Sequence, residues 1–293
     1  MVWPAILVHG GAGTYERVTS DESDLSVRLA TAVSEAVDCG WDALTGPGGG
    51  PLAAVVAAVS RMELDGGFNA GRGSVPTTAG TVEMDAGVME DDGRAGAVAC
   101  VTGHSAVHAA REVLALGGPV LLAGPPADVF AEERGVPAME PLHTYRSGVT
   151  DPPPLDGLAS PEGTVGAVAV SADGRFAAAT STGGRAGQIP GRVGDTPVPG
   201  AGFWAGTGCS VSATGAGEAF LLAGFSRLAG ARHAAGEPLT GALSFALGEV
   251  ARYGGDGGGI ALGRDGAWAG GFNTRAMARG VRHAGGRRTT ILG

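Results

Sequence analysis

The apolar positions of the chain change their spacing along its length, and this divides it into predicted strands and helices. Val165–Val170 is an unbroken apolar run of strand length. The Asp-Gly pair at 173–174 predicts a hairpin turn, and residues 175–180 read as the returning strand. Earlier in the chain, residues 21–39 place leucine or valine at every fourth position, which is the spacing of an amphipathic helix.

The same criteria predict further elements on both sides of this hairpin. Strands are predicted at 5–8, 82–89, 95–102, 119–122, 200–205, 209–213, 260–262 and 267–272, and helices at 52–62, 104–116, 127–134 and 218–228. This alternation, with hairpins near the centre, predicts an α+β protein with helices outside a pair of mainly antiparallel sheets. The polar, proline-rich segment of about 137–162 is predicted to be a flexible connector within a single domain, 1–293.

Composition and charge argue against several classes of protein. The chain has 293 residues, 55 of them glycine, and 29 acidic against 20 basic residues give a net charge of −9. This balance argues against nucleic acid or an anionic membrane as a partner. The three cysteines are scattered without a C-x-x-C pair, which argues against a disulfide framework or structural zinc. The chain has no basic N-terminal segment and no uncharged apolar run of about 18 residues, so we expect a soluble cytoplasmic protein.

Two glycine-rich segments follow predicted strands and invite comparison with phosphate-binding loops. Residues 9–13, His-Gly-Gly-Ala-Gly, lack the third glycine of a dinucleotide-binding turn, and the G-x-S-x-G motif of serine hydrolases does not occur in the chain. Residues 214–218, Thr-Gly-Ala-Gly-Glu, open a helix, so their backbone N–H groups suit an anion or an oxyanion. The lysine of a P-loop is absent from this region. A phosphate- or nucleotide-binding protein therefore stays open as the less favoured alternative.

Thr164 stands at the mouth of the buried strand, directly after Gly163. Threonine suits strands, so a structural role is the ordinary explanation. The catalytic interpretation is that the bond between these two residues is cut. Thr164 then gains a free α-amine, which titrates near pH ~8 and can deprotonate the threonine hydroxyl for nucleophilic attack. Glycine before it tolerates the strained backbone that self-cleavage would need.

Two further segments carry candidate binding groups. In the polar loop at 191–197, Arg192 and Asp195 either pair with each other at the surface or together hold a zwitterion, with arginine on a carboxylate and aspartate on an ammonium group. The glycine-rich segment at 68–75 is either a plain tight turn or a loop whose carbonyls surround a cation.

Taken together, these segments resemble the plant-type L-asparaginase/isoaspartyl aminopeptidase family of N-terminal nucleophile hydrolases, whose nucleophile is a threonine. The resemblance covers almost the whole chain, and its seven blocks occur in family order. They are His-Gly-Gly-Ala-Gly at 9–13, Phe-Asn-Ala-Gly at 68–71, Gly-Thr-Val-Gly-Ala-Val at 163–168, Thr-Ser-Thr-Gly-Gly at 180–184, Gly-Arg-Val-Gly-Asp at 191–195, Thr-Gly-Ala-Gly-Glu at 214–218 and Phe-Asn-Thr at 272–274.

The resemblance implies a four-layer αββα sandwich made as a self-cleaving precursor. Cleavage between Gly163 and Thr164 would give an α subunit, 1–163, and a β subunit, 164–293. Two copies of each would assemble as (αβ)2. The implied substrate is a small molecule, either L-asparagine or an isoaspartyl dipeptide, attacked at its side-chain carbonyl to give a β-aspartyl ester that water hydrolyses.

The resemblance also assigns catalytic roles to single positions. Thr164 would be the nucleophile and, through its amine, the base. Thr182 would orient that nucleophile, and Asn69 would support it. The hydroxyl of Thr214 and the N–H of Gly215 would form the oxyanion hole.

Binding roles follow in the same way. Arg192 would hold the substrate α-carboxylate and Asp195 its α-amine, with Gly217 close to that amine and Gly215 also in contact with substrate. The chemistry would require no cofactor, but the loop after the second helix resembles the sodium-binding loop of the family. The backbone carbonyls implied as sodium ligands are those of Met62, Glu63, Asp65, Phe68, Ala70 and Arg72.

The chain departs from the family pattern at 185–188, Arg-Ala-Gly-Gln, where the family usually has methionine, a small residue and Asn-Lys. This departure bears on the preference for the leaving group. The second alternative to the hydrolase is an uncleaved, catalytically silent relative that acts as a binding protein.

Overall fold

Two sheets organise the protein in the computed structural model, which describes residues 3–13, 22–142, 163–206 and 208–292. The larger sheet has eight strands in the order β12-β11-β1-β5-β6-β2-β3-β4, and among them only β3 and β4 run parallel. Its strands are β1 (Ala5–Gly13), β2 (Met84–Glu90), β3 (Ala95–Val101), β4 (Leu121–Ala123), β5 (Val165–Val170), β6 (Phe176–Thr182), β11 (Ala276–His283) and β12 (Gly286–Leu292).

The smaller sheet is antiparallel throughout, in the order β10-β9-β8-β7. Its strands are β7 (Phe203–Gly206), β8 (Cys209–Gly215), β9 (Gly257–Gly263) and β10 (Trp268–Phe272). The α-helices of the described residues are α1 (Glu22–Thr45), α2 (Pro51–Asp65), α3 (Ala106–Leu116), α4 (Pro125–Glu133), α5 (Gly217–Ala223), α6 (Phe225–Ala234) and α7 (Leu239–Arg252). None of them is long and apolar enough to cross a lipid bilayer.

Three apolar clusters hold these elements together. One lies between α1–α4 and a face of the larger sheet. The second lies between the two sheets, and the third packs α5–α7 against the smaller sheet. Alternate residues of β5 enter different clusters: Val165 faces the helices and Val168 faces the smaller sheet. Because both faces of β5 are covered, an unbroken apolar run suits this strand.

The central hairpin of β5 and β6 and the antiparallel pair of β2 and β3 confirm the sequence predictions for these segments. Other boundaries were wrong. The glycine run at 10–13 is part of β1, where the register shifts between His9 and Ala12, and is not a loop. Helix α1 continues to Thr45 instead of stopping near residue 39. The helix predicted to end at 228 is two helices separated by Gly224, whose φ of 58° is left-handed.

Some of the predicted connector contacts the folded body. The N–H of Met139 donates to the carbonyl of Gly103, and that of Leu142 donates to the carbonyl of Arg72. The rest of the connector, residues 143–162, lies outside the described residues.

A histidine links the two sheets beneath the start of β5. His9, in β1, places Nε2 at 2.7 Å from the Oγ of Ser212, in β8, and both side chains are buried. Burial lowers the pKa of His9 to about 3, so its ring is neutral at physiological pH. The contact passes over Gly166, the β5 residue paired with His9, where an added Cβ would overlap both polar atoms.

We expect Gly166→Ala to destabilise the fold by about 1–3 kcal/mol, because the methyl group would force apart His9 and Ser212 in a close-packed interior. Urea-induced unfolding measures this change. The matched control is Gly248→Ala at the exposed surface of α7, where an added Cβ has no neighbour within 4 Å. That change should stabilise the protein by up to about 1 kcal/mol. Similar unfolding free energies for the two variants would contradict this account of the sheet contact.

Candidate active site

A cavity of about 770 Å³ opens where the N-terminal end of β5 meets the C-terminal end of β8. Segments on both sides of the predicted cleavage site contribute to its wall. The lining residues are Ala12, Gly13, Asn69, Gly163, Thr164, Thr182, Gly184, Arg185, Ala186, Gly215, Asp256, Asn273, Thr274 and Arg275. The structure thus brings together five residues predicted to act in catalysis or cleavage: Asn69, Gly163, Thr164, Thr182 and Gly215.

Thr164 is buried immediately before β5, with its Oγ1 at 3.4 Å from the Oγ1 of Thr196. The residue before it, Gly163, has a φ of 104°, a region that L side chains rarely adopt. An added Cβ there would also overlap the backbone of Gly11 and lie 3.2 Å from the amide nitrogen of Ala12. Glycine is therefore required at 163 by conformation and by space.

Asn69 fixes the turn that follows Thr182. Its side-chain Nδ2 donates to the backbone carbonyl of Gly184 at 2.7 Å, and its backbone carbonyl accepts from the N–H of Gly183 at 2.9 Å. The hydroxyl of Thr182 accepts from the N–H of Gly184 at 3.2 Å. Thr182 therefore lines the same cavity as Thr164, but its hydroxyl is hydrogen-bonded within the turn that follows it.

Thr196 supplies the hydroxyl group that contacts Thr164, and the sequence analysis assigned this residue no role. Its carbonyl accepts from the hydroxyl of Thr180 at 3.3 Å, which ties this loop residue to β6. It also follows Asp195 directly, so it connects the cavity to the residues predicted to bind the substrate amine.

Arg192, Asp195 and Gly217 form a cluster that does not contribute to the lining of the described cavity. An added Cβ at Gly217 would lie 2.8 Å from Nη2 of Arg192 and 3.1 Å from Oδ1 of Asp195, so these three residues meet closely. Arg192 forms an ion pair with Glu218 at 2.9 Å, and its Nη1 donates to Gln188 at 3.4 Å. The predicted alternative of a simple Arg192–Asp195 surface pair is wrong, because Asp195 is buried and the ion-pair partner of Arg192 is Glu218.

Two polar atoms at predicted ligand positions are buried with neither a hydrogen bond nor an ion pair among the described residues. They are the hydroxyl oxygen of Thr214 and Oδ2 of Asp195. A buried polar group left unpaired costs free energy, and in a native protein it calls for an explanation such as a ligand or ion that completes the pairing. Both atoms belong to residues expected to contact the substrate.

Asp85 is a second buried carboxylate in this region, and the sequence analysis missed it. It lies in β2 opposite Thr182, and its Oδ1 accepts from the N–H of Cys100 at 2.8 Å. Burial raises the pKa of Asp85 and of Asp195 to about 7, against the lowering effect of Arg192, and the charge of Asp85 also raises the pKa of Asp195. The signal available in the sequence was a single acidic residue inside the otherwise apolar run at 84–89.

The predicted sodium loop lies between α2 and a short 3₁₀ turn, Gly71–Gly73. The carbonyls of Phe68, Ala70 and Arg72 each accept a backbone hydrogen bond, and a carbonyl oxygen keeps a second lone pair for a cation. The carboxylate of Glu63 is occupied elsewhere, accepting from Ser105, Ser181 and the N–H of Val107. Since the described residues hold no cluster of three acidic, histidine or cysteine side chains, a cation here would depend on carbonyl oxygens, which fits a hard ion such as sodium.

Comparison with known proteins shows which family the chain belongs to. A family model described as asparaginase matches residues 2–292. The chain belongs to the asparaginase family. Among known members, it is 42% identical to a plant-type L-asparaginase of Pyrobaculum calidifontis, an alignment that covers 94% of this chain and 95% of the relative.

Two further relatives of the asparaginase family are almost as similar. An isoaspartyl peptidase/L-asparaginase of Danio rerio is 38% identical, with 94% of this chain and 91% of the relative covered. An isoaspartyl peptidase of Escherichia coli strain K12 is also 38% identical, with 97% and 94% covered. The predicted family is therefore confirmed over the whole length of the chain.

The buried carboxylates generate a pH prediction. Because the pKa of Asp85 is higher in the folded protein than in the unfolded chain, its proton stabilises the fold below the unfolded pKa. That contribution is lost as the pH rises through about 7. The Asp85→Asn variant has no carboxylate to ionise at this position, so it avoids the cost of burying a charge there. Between about pH 4 and 8, we expect its unfolding free energy to improve relative to wild type by on the order of 2 kcal/mol.

Chemical denaturation at several pH values measures this difference. Glu249→Gln, at the surface of α7 beside Arg252, is the matched control, and its difference from wild type should stay nearly constant across the same range. If the Asp85→Asn variant and wild type changed stability in parallel, the raised pKa of Asp85 would be disproved.

Proposed function

We propose that this protein is a self-processing threonine hydrolase that cleaves the side-chain amide of L-asparagine and the β-aspartyl bond of isoaspartyl dipeptides. The observation that carries the proposal is the position of Thr164, buried at the wall of a cavity directly after a glycine with a φ of 104°. Relatives named L-asparaginase and isoaspartyl peptidase support this choice of substrates.

Maturation begins with attack by the hydroxyl of Thr164 on the carbonyl carbon of Gly163. The acyl group moves from nitrogen to oxygen, and water hydrolyses the resulting ester. The products are a carboxylate on Gly163 and a free α-amine on Thr164, giving an α subunit, 1–163, and a β subunit, 164–293. The contact of Gly163 with Gly11 supports this step, because it holds the peptide in a conformation that few residues adopt.

Catalysis then uses both groups of Thr164. Its α-amine accepts the hydroxyl proton as Oγ1 attacks the side-chain carbonyl, and the amine returns that proton to the leaving nitrogen. The hydroxyl of Thr214 and the N–H of Gly215 stabilise the negative oxygen of the intermediate. Water hydrolyses the β-aspartyl ester by the same route. Thr182 orients the nucleophile, and Asn69 keeps its turn in place.

Charge balance supports the assigned substrate contacts. Asp85 and Asp195 are two buried carboxylates near one guanidinium, and that guanidinium, on Arg192, already pairs with Glu218. A substrate ammonium group supplies the missing positive charge at Asp195, while its carboxylate binds Arg192. Binding of a zwitterionic amino acid therefore relieves the cost of burying the carboxylates.

The proposal extends to fold, assembly and location. The three apolar clusters separate four layers, which are helices, the larger sheet, the smaller sheet and helices again. This order supports the four-layer αββα sandwich of N-terminal nucleophile hydrolases. An (αβ)2 assembly follows from the family resemblance. A cytoplasmic location agrees with three cysteines that are all free.

The test of function measures whether the chain is cut into two fragments and whether Thr164 carries a free α-amine. The 20 basic residues of the sequence are all arginine, so an amine-reactive tag labels only free α-amines. We expect wild type to give two fragments on a denaturing gel, with the tag on Thr164 of the smaller one. Thr164→Ala should stay intact and inactive, because it lacks the nucleophile. Thr164→Ser, the matched control, should still be cut, since it keeps a hydroxyl.

Each contrary result has a distinct meaning. An intact wild-type chain that hydrolyses either substrate would disprove the requirement for a free Thr164 amine. An intact chain without activity would indicate a silent binding protein, and nucleotide affinity without hydrolysis would indicate the phosphate-binding alternative. Two fragments without activity towards either substrate would disprove the assigned reaction but not the cleavage.

A sodium ion completes the proposal, held by backbone carbonyls of Met62, Glu63, Asp65, Phe68, Ala70 and Arg72. Because an ion bound only to the folded state stabilises it by mass action, the Tm should rise with sodium chloride concentration. Tetramethylammonium chloride of equal ionic strength is the control, since the methyl groups of that cation prevent coordination by carbonyl oxygens. Equal Tm values in the two salts would disprove the ion.

A further inference from the structure

We propose that Arg185 and Arg275 form a subsite for the carboxylate of the leaving amino acid, so that isoaspartyl dipeptides with a free C-terminal carboxylate are better substrates than the corresponding carboxamides. This inference rests on the proposed hydrolase function and adds the residues that determine specificity for the leaving group. It follows from which charged residues share the cavity with Thr164.

Among the described residues, the charge of the cavity wall is mainly positive. Its charged lining residues are Arg185, Asp256 and Arg275, all of them exposed at the mouth. Arg192, expected to hold the carboxylate of the aspartyl half, does not contribute to this wall. The two wall arginines are therefore additional to the group already assigned to that carboxylate.

Both arginines extend from backbone that is held in place. Arg185 follows Gly184, whose carbonyl accepts the side-chain amide of Asn69. Arg275 comes two residues after Asn273, which exchanges two hydrogen bonds with Gly257: its Oδ1 accepts from the glycine N–H at 2.8 Å, and its own N–H donates to the glycine carbonyl at 3.0 Å. These anchors reduce the conformational entropy lost when a ligand binds.

The chemistry of the leaving group decides which substrate benefits. L-Asparagine releases ammonia, which offers an arginine nothing to bind. An isoaspartyl dipeptide releases an amino acid whose carboxylate suits a guanidinium fork. A cavity of about 770 Å³ is of the size that holds ligands larger than one amino acid.

The ion pair of Arg185 does not prevent this role. Its Nη1 lies 3.8 Å from Oε2 of Glu218, and both side chains are more than half exposed. Exposed pairs of this kind contribute little stability. Because Glu218 is itself more than half exposed, water solvates its carboxylate when Arg185 turns to a substrate carboxylate.

The experiment compares three substrates on the processed enzyme: β-aspartyl-leucine, the same dipeptide with a C-terminal carboxamide, and L-asparagine. We expect wild type to favour the free carboxylate over the carboxamide by about tenfold in kcat/KM, mostly through KM, as befits two solvent-exposed ion pairs. Increasing salt should reduce this ratio because the pairs are screened.

The double variant Arg185→Gln/Arg275→Gln should lose most of this preference. Its kcat/KM for β-aspartyl-leucine should fall about tenfold, towards that for the carboxamide, while the values for the carboxamide and L-asparagine change far less. Arg252→Gln, at an exposed position on α7 that does not line the cavity, is the matched control and should keep the wild-type ratio. The gel pattern of two fragments shows that each variant has folded and matured.

Two failures can be told apart. If wild type hydrolysed the carboxylate and carboxamide dipeptides equally well, or if the double variant lowered all three rates alike, the subsite would be disproved and the hydrolase function would stand. If wild type hydrolysed none of the three, the proposed function itself would fail.

Discussion

Close contact between backbone segments at the start of β5 is the constraint on which the candidate site depends. Gly163 lies against Gly11 of β1, and Gly166 leaves room for the contact of His9 with Ser212 across the two sheets. Side chains at these glycines would push the segments apart. The position of Thr164 is therefore set by paired strands and not by a mobile loop, which suits a nucleophile that must be held accurately.

Buried charge is the second property that distinguishes this region. Asp85 and Asp195 come from distant parts of the sequence, and burial raises the pKa of each to about 7. Such carboxylates destabilise the fold when ionised, so their presence points to binding and not to stability. The unpaired hydroxyl of Thr214 and the unpaired Oδ2 of Asp195 support the same interpretation.

Local signals allowed much of this protein to be predicted. The β5–β6 hairpin lies within a few residues, so its apolar pattern and its Asp-Gly turn sufficed to predict it. Helix α1 was predicted too short, ending at residue 39 just before Gly40. Within the fold, Gly40 lets the helix approach Ile6 of β1, where a larger side chain would not fit.

What the sequence could not reveal depends on contacts between distant residues. Nothing near Asp85 indicates that Asp195 is its neighbour, and nothing near Arg275 places it in the same cavity as Arg185. Strand β11 was missed because alanine, glycine and arginine make up most of it and blur the apolar spacing, and β12 has apolar residues only at its end. Tertiary packing, more than local propensity, determines these two strands. Helix α7 was overlooked although Leu239, Leu243 and Leu247 recur at helical spacing.

The strand order of the larger sheet has a consequence for a chain cut at 163. Strand β1 would belong to one fragment yet lie between β11 and β5 of the other, while β6 of that second fragment borders β2 of the first. The two polypeptides would be interleaved and could separate only by breaking the sheet. A one-chain folding reaction would thereby become a two-chain assembly. Unfolding would then include dissociation of the two chains, so the apparent stability would rise with protein concentration.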